Sequence, residues 1–197
     1  ICNAFLEEGR PYPLYGFHYF LQSTIAGTSN SRFYNLLFGD SSFIVPYLRY
    51  IGWRLGTVEQ TGSNFGTNQR HDNPFLCSIG SGTMCSDGIS MINVHLSSGT
   101  FCVKSSAIGD SSYLGNDIHV PPDSRLGANC LLGTKVLVPI DGQVRENVGL
   151  LGSPSFEIPR IVDRDRSLLA SLDASTRKAR LERKNLHNLA TAAMFLF

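Results

Sequence analysis

From Leu96 onward every sixth residue is apolar: Leu96, Cys102, Ile108, Leu114, Val120, Leu126, Leu132, Val138, Val144 and Leu150. An unbroken ladder of this length, in a chain that is 42% hydrophobic, marks a repeating unit. A period of six belongs to neither an α-helix, at 3.6, nor a simple strand, at 2. It fits a three-sided coil in which each side takes about six residues and a full turn about 18, stacked at the roughly 4.8 Å spacing of paired strands. The ladder residue then points inward. Gly109, Gly115, Gly127 and Gly133, with Pro121 and Pro139 on other coils, follow it directly, and there the chain is expected to bend. Ile79, Cys85 and Met91 keep the same step one position out of phase, which predicts an insertion or protruding loop between Met91 and Leu96.

The flanks have a different texture. Before the ladder, aromatic residues are dense, and Asp40 or Ser41 can cap a short helix whose Phe43, Tyr47 and Ile51 share a face; Pro46 lies close enough to its start to be tolerated. Residues 1–57 read as a cap of short helices and an extended segment over the first coil, whose open edges would otherwise associate. Residues 58–160 form the six-residue repeat. Residues 161–197 carry a helix, read over 168–190, rich in Arg and Lys and running into the apolar stretch that ends at Phe197. That helix fits two placements: leading toward a membrane span just past Phe197, or packed as a charged helix along the prism. No run approaches the roughly 20 apolar residues of a complete span. The start at Ile1 and the apolar end read as a segment of a longer protein.

Charge and cysteine content narrow the function classes. Seventeen Lys and Arg against 16 Asp and Glu leave no global field that favours nucleic acid. Cysteines 2, 77, 85, 102 and 130 are odd in number and contain no CxxC pair, which fits buried thiols in a reduced, cytoplasmic setting better than a disulfide framework.

Long strings of the chain, Val58 to Pro74, Ile79 to Asn93 and Cys130 to Arg160, with Gly39 to Trp53, resemble the terminal region of the ε-poly-lysine synthetase type of nonribosomal-peptide-synthetase-like family. The six-residue ladder is likewise similar to that of hexapeptide-repeat acyltransferases. The resemblance implies an all-β, left-handed parallel β-helix with flanking N-terminal short helices and a C-terminal helix; the hand comes from the resemblance, since parallel crossovers are normally right-handed. It implies a domain that joins an amine to an aminoacyl group held as a phosphopantetheinyl thioester on a carrier domain. The carrier and adenylation domains and neighbouring transmembrane segments would be partners, at the cytoplasmic face of a membrane. No carrier serine motif and no HisHisxxxAspGly condensation motif occurs, which leaves the β-helix to supply any chemistry.

Aminolysis of a thioester needs a base, oxyanion donors and alignment of two substrates. His71 is the first candidate for the base, in the family string Arg70 to Pro74, with Asp72 to orient it. Ser63 and Asn64 are candidates for substrate binding through the oxyanion, and His95, beside the ladder residue Leu96, is the reserve base. His119 reads as a corner or loop residue, and His18 and His187 as structural. His71, His95 and His119 are 24 residues apart, which would set them on successive faces of the prism and argues against a shared zinc. Cys77 and Cys85 lack a basic neighbour to activate them. Three functions remain: the synthetase domain, a coenzyme A-dependent acetyltransferase, and a noncatalytic scaffold. A trimer, or a pseudo-trimer built within one chain, is the expected assembly.

Overall fold

A computed structural model describes residues 2–60, 65–159 and 173–196. The N-terminal part contains β1 (Tyr12–Pro13) and three helices, α1 (Phe17–Ser29), α2 (Arg32–Phe38) and α3 (Ile44–Ile51). The chain then winds. Its first coil is β2 (Arg54–Leu55), β3 (Glu59–Gln60) and β4 (Gln69–His71); the second is β5 (Cys77–Ile79), β6 (Met84–Cys85) and β7 (Ile89–Met91). A hairpin follows, β8 (Val94–Ser97) and β9 (Thr100–Val103), before a third coil of β10 (Ser106–Ile108), β11 (Tyr113–Leu114) and β12 (Ile118–Val120). β13 (Arg125–Leu126), β14 (Leu131–Leu132), β15 (Val148–Leu151) and β16 (Phe156–Pro159) complete the winding, and α4 (Ala174–Leu196) ends the described chain.

Strands of successive coils enter three parallel sheets in rotation: β2-β5-β10-β13, β3-β6-β11-β14-β15 and β4-β7-β12. Each sheet contributes one inward row. Leu55, Ile79, Ile108 and Leu126 stand in register on the first, and Cys85, Leu114, Leu132 and Leu150 on the second. With Met91, Val120 and Val138 from the third side they fill one continuous core. Ile44 and Leu48 of α3 are fully buried in that same core, against the edge strand β2. At the other end β16 pairs antiparallel with β15, so the last strand of the second sheet is also covered.

The ladder holds from Ile108 to Val138 and fails at three of its positions. Leu96 is 63% exposed and Cys102 half-buried because both lie on the antiparallel hairpin, where β9 also pairs with β1. The phase therefore resets later than the sequence suggests. Ile79 and Ile108 are register partners 29 positions apart, whereas Ile108 and Leu126 are 18 apart, so the excess belongs to the hairpin and its connections. Val144 is 59% exposed because Leu126 pairs with Arg145 instead, and a one-residue slip turns a side chain to the opposite face.

The corners also differ from the expectation. Gly109, Gly115, Gly127 and Gly133 have ordinary negative φ. The left-handed conformation falls three residues after the ladder instead, on Ser111, Asp117, Asp123, Asn129, Lys135 and Asn147, with φ of 54° to 65°. Asn and Asp tolerate this region better than other side chains. The post-ladder glycines serve close approach: a Cβ on Gly109 would lie 2.4 Å from the carbonyl carbon of Gly127 in the next coil, and one on Gly115 2.8 Å from that of Gly133.

The hairpin is tied to the winding by Asn93, which is fully buried. Its side chain accepts from the Asn73 N–H at 3.1 Å and donates to the carbonyls of Leu76 and Lys104, while the Lys104 N–H returns to the Asn93 carbonyl at 2.7 Å. A second small cluster, Leu6, Tyr12, Ile25, Phe101 and Val103, packs the hairpin against β1 and α1. α4 runs to Leu196, past the end at residue 190 read from sequence, while the start read at residue 168 lies outside the described residues. Asn185 and Asn188 of α4 both bond Ser42 at 2.8 Å, and Phe195 meets the ring of Phe33. Among the described residues no helix is long and apolar enough to cross a membrane.

These contacts separate two glycine substitutions. Gly109→Ala is expected to lower unfolding free energy by roughly 1–3 kcal/mol, because the overpacked contact is backbone. Gly27→Ala, at an exposed helical position with open space around it, should raise it by roughly 0.5–1 kcal/mol. Urea unfolding of the two variants beside the parent checks both signs.

Candidate active site

The third sheet carries the polar chemistry of this molecule. Alternation along β4, β7 and β12 sends Gln69, His71, Ile89, Met91, Ile118 and Val120 inward and leaves Arg70, Ser90 and His119 on the outer face. Arg70 is opposite Ser90, and Ser90 opposite His119, so the three form one row across the sheet, with Leu137 beyond.

His71 is on the inner side and 3% exposed. Its Nδ1 faces the Trp53 indole N–H at 3.2 Å and the Gln69 Oε1 at 3.0 Å, and its Nε2 is 2.9 Å from the Ser29 hydroxyl. Its backbone exchanges two hydrogen bonds with the Asn30 side chain, at 2.6 and 3.2 Å. Burial lowers its pKa to about 4. The residue clamps α1 to the sheet and presents no ring nitrogen to a substrate, whereas a general base has to reach the proton it removes. Asp72 does not orient it: the Asp72 carboxylate accepts from the backbone N–H groups of Asn93 and Val94 at 3.0 and 3.2 Å and so holds the base of the hairpin. The expected His71–Asp72 pair is therefore not assembled in this arrangement.

Ser63 and Asn64 lie outside the described residues. His95 is exposed on β8, opposite Cys102, away from the three-sided winding. His71 and His119 lie on the same sheet and point to opposite sides of it, because the hairpin shifts the spacing that would have set successive histidines on successive faces. Among the described residues no group of three His, Cys, Asp or Glu is arranged to hold a metal ion. Cys77 and Cys85 are buried, and burial pushes both thiols up, Cys85 to about 12, so neither is a ready nucleophile.

His119 reaches a concave surface. It lines a hollow of about 330 Å³ with Asn68, Ile89, Ser90, Asp117, Lys135 and Ser153. The left-handed corners bring Asp117 and Lys135 to its rim, and the third sheet supplies a rigid floor. The hollow combines an imidazole, a hydroxyl directly across the strand and a second from Ser153, a cation, a carboxylate and an amide. These groups can take a proton, hold an acceptor and stabilise an oxyanion. The sequence carried a signal for this residue: His119 immediately precedes the ladder residue Val120, so the strand period turns it outward.

No family model matches the chain, and no curated protein does. Solved structures that share its fold include two acetyltransferases. A maltose O-acetyltransferase from Clostridium difficile 630 matches with a TM-score of 0.57 and 16% identity, over 79% of this chain and 94% of that one. A galactoside acetyltransferase in complex with coenzyme A matches with a TM-score of 0.51 and 13% identity, over 80% of this chain and 90% of that one. At such identities the likeness concerns the fold, and function has to be argued from the site.

The environment of His71 makes stability depend on pH. Its folded-state pKa of about 4 lies below the ordinary 6.5, so its neutral form is favoured in the fold; the contribution is complete above pH 6.5 and is lost as pH falls toward 4. The loss is expected to be on the order of 3 kcal/mol. Urea unfolding at pH 7.5 and 4.5 measures it, and a His71→Asn variant should be less stable at pH 7.5 with most of this pH dependence gone.

Proposed function

We propose that the chain is an acyltransferase of the left-handed β-helix, hexapeptide-repeat class, moving an acyl group from a coenzyme A thioester to a hydroxyl or amine. The observation that carries the reading is the overlap of its winding with nearly the whole length of two acetyltransferases, one of them holding coenzyme A. In this proposal His119 is the base. It takes the proton of the acceptor as the acceptor oxygen or nitrogen adds to the thioester carbonyl. Lys135 and the Asn68 amide stabilise the oxyanion, and collapse breaks the C–S bond and releases the thiolate, which is then protonated. Ser90, next to His119 across the strand, holds the acceptor.

A second reading keeps the same chemistry with a different donor. The similarity of Val58 to Pro74, Ile79 to Asn93 and Cys130 to Arg160 to the synthetase family favours a phosphopantetheinyl thioester on a carrier domain, with an amine as acceptor, in a membrane-associated synthetase. Both donors present the same pantetheine arm, so the outer face of the third sheet serves either.

Thiol release from acetyl-coenzyme A, followed with a panel of sugar hydroxyl and amine acceptors, tests the proposal. His119→Gln should lower kcat by roughly 10²- to 10⁴-fold with little change in melting temperature, since the residue is exposed. Undiminished turnover in that variant removes His119 from the mechanism. Turnover only with a thioester-loaded carrier domain would favour the second reading. If neither donor is turned over while deletion of the winding abolishes the function of the parent protein, a scaffold role replaces both.

A further inference from the structure

Beside the His119 hollow, and sharing Asn68 with it, lies a second groove of about 550 Å³ that the acyl-transfer chemistry does not use. Its lining is Asn30, Arg32, Asn35, Leu36, Thr67, Asn68, Gln69 and Arg70. Two guanidinium groups line it and no carboxylate does. Arg32 and Arg70 are both exposed, and among the described residues neither has an ion-pair or hydrogen-bond partner. The two cations come from different elements, α2 and β4, across a concave surface.

The framework around them is held rigidly. Asn30, two residues before Arg32, bonds the backbone of His71, one residue after Arg70. Gln69 donates to Asn35 at 3.0 Å, joining α2 to β4 from below. The amides of the floor are thus occupied in holding the helices to the sheet, while the arginines remain free to donate outward. A groove pre-formed in this way needs little reorganisation to receive a ligand. Arginine presents a planar fork of donors that suits phosphate oxygens, and two of them suit a multiply charged anion better than a single carboxylate.

We infer that the Arg32–Arg70 groove is a binding site for a phosphate group of a ligand whose remaining part extends over the third sheet toward His119. The row from Arg70 through Ser90 to His119 covers two strand spacings, about 10 Å, so the phosphate is held clear of the reacting centre and acts by positioning. That the ligand is a substrate of acyl transfer rests on the proposed function; the anion site itself does not. Two sources supply such a group: the phosphates of the thiol donor, or a phosphorylated acceptor.

Calorimetric titration of the full chain with inorganic pyrophosphate, coenzyme A and pantetheine separates these cases. Pyrophosphate should bind, more weakly as salt is raised, and affinity should fall roughly tenfold with Arg32→Gln or Arg70→Gln and further in the double variant. Both side chains are exposed, so melting temperatures should stay at the parent value; Arg70→Lys, which keeps the charge and loses the fork, should bind with intermediate affinity. If coenzyme A shows the same arginine dependence and pantetheine binds more weakly, the phosphate is the donor's. If pyrophosphate depends on the arginines and coenzyme A is indifferent to them, it belongs to the acceptor. Absence of pyrophosphate binding, or affinity within twofold of the parent in the double variant, would overturn the site. Arginine-dependent binding without acyl transfer from any donor leaves the site standing and removes the proposed function, and turnover without anion binding does the reverse.

Discussion

The structure depends on one steric requirement, that each coil lie flat on the previous one at the spacing of hydrogen-bonded strands. Gly109 faces Gly127 and Gly115 faces Gly133 so closely that no side chain fits between them, and the corners three residues after the ladder adopt φ near +57° at Ser111, Asn129 and Lys135. Flat stacking lets the inward residues meet as aligned rows and form one continuous core. It also makes each outer face a regular surface on which exposed side chains of neighbouring strands stand in register. Arg70, Ser90 and His119 inherit their alignment from that geometry.

Two departures from the repeat give the molecule its asymmetry. The β8–β9 hairpin leaves the winding after the second coil and is secured by Asn93 and Asp72, whose polar groups take up backbone donors and acceptors that strand pairing leaves open. The helical cap is secured by a buried polar network of Trp53, His71, Gln69, Asn35 and Ser29. A buried network of this kind is worth keeping only when its members are satisfied, and here both ring nitrogens of His71 have partners. The same bonds hold α1 and α2 beside the third sheet and so build the wall of the arginine groove.

The ladder was legible because burial of one residue per side is a one-dimensional rule, and it holds at Ile108, Leu114, Val120, Leu126, Leu132 and Val138. Leu96 and Cys102 keep the period by coincidence; composition does not distinguish a hairpin strand from a side of the prism. The glycines were visible, but their purpose was not, since close approach involves a residue a full coil away. The string around His71 marks it as the first candidate in the sequence, while its accessibility depends on a helix more than forty positions distant, through Asn30 and Ser29.

By itself the sequence determined the six-residue repeat and its inward residues from Ile108 to Val138, because these follow from a local period that each strand reads from its own residues; that His119 stands on a strand and not at a corner came from the structure. Tertiary structure alone decided which polar residues meet. The excess length of the hairpin set His71 and His119 on one sheet, the cap closed over the first and left the second open, and α2 brought Arg32 to the groove that Arg70 lines. Those outcomes depend on loop closure and packing between distant segments, which no short stretch of the chain encodes.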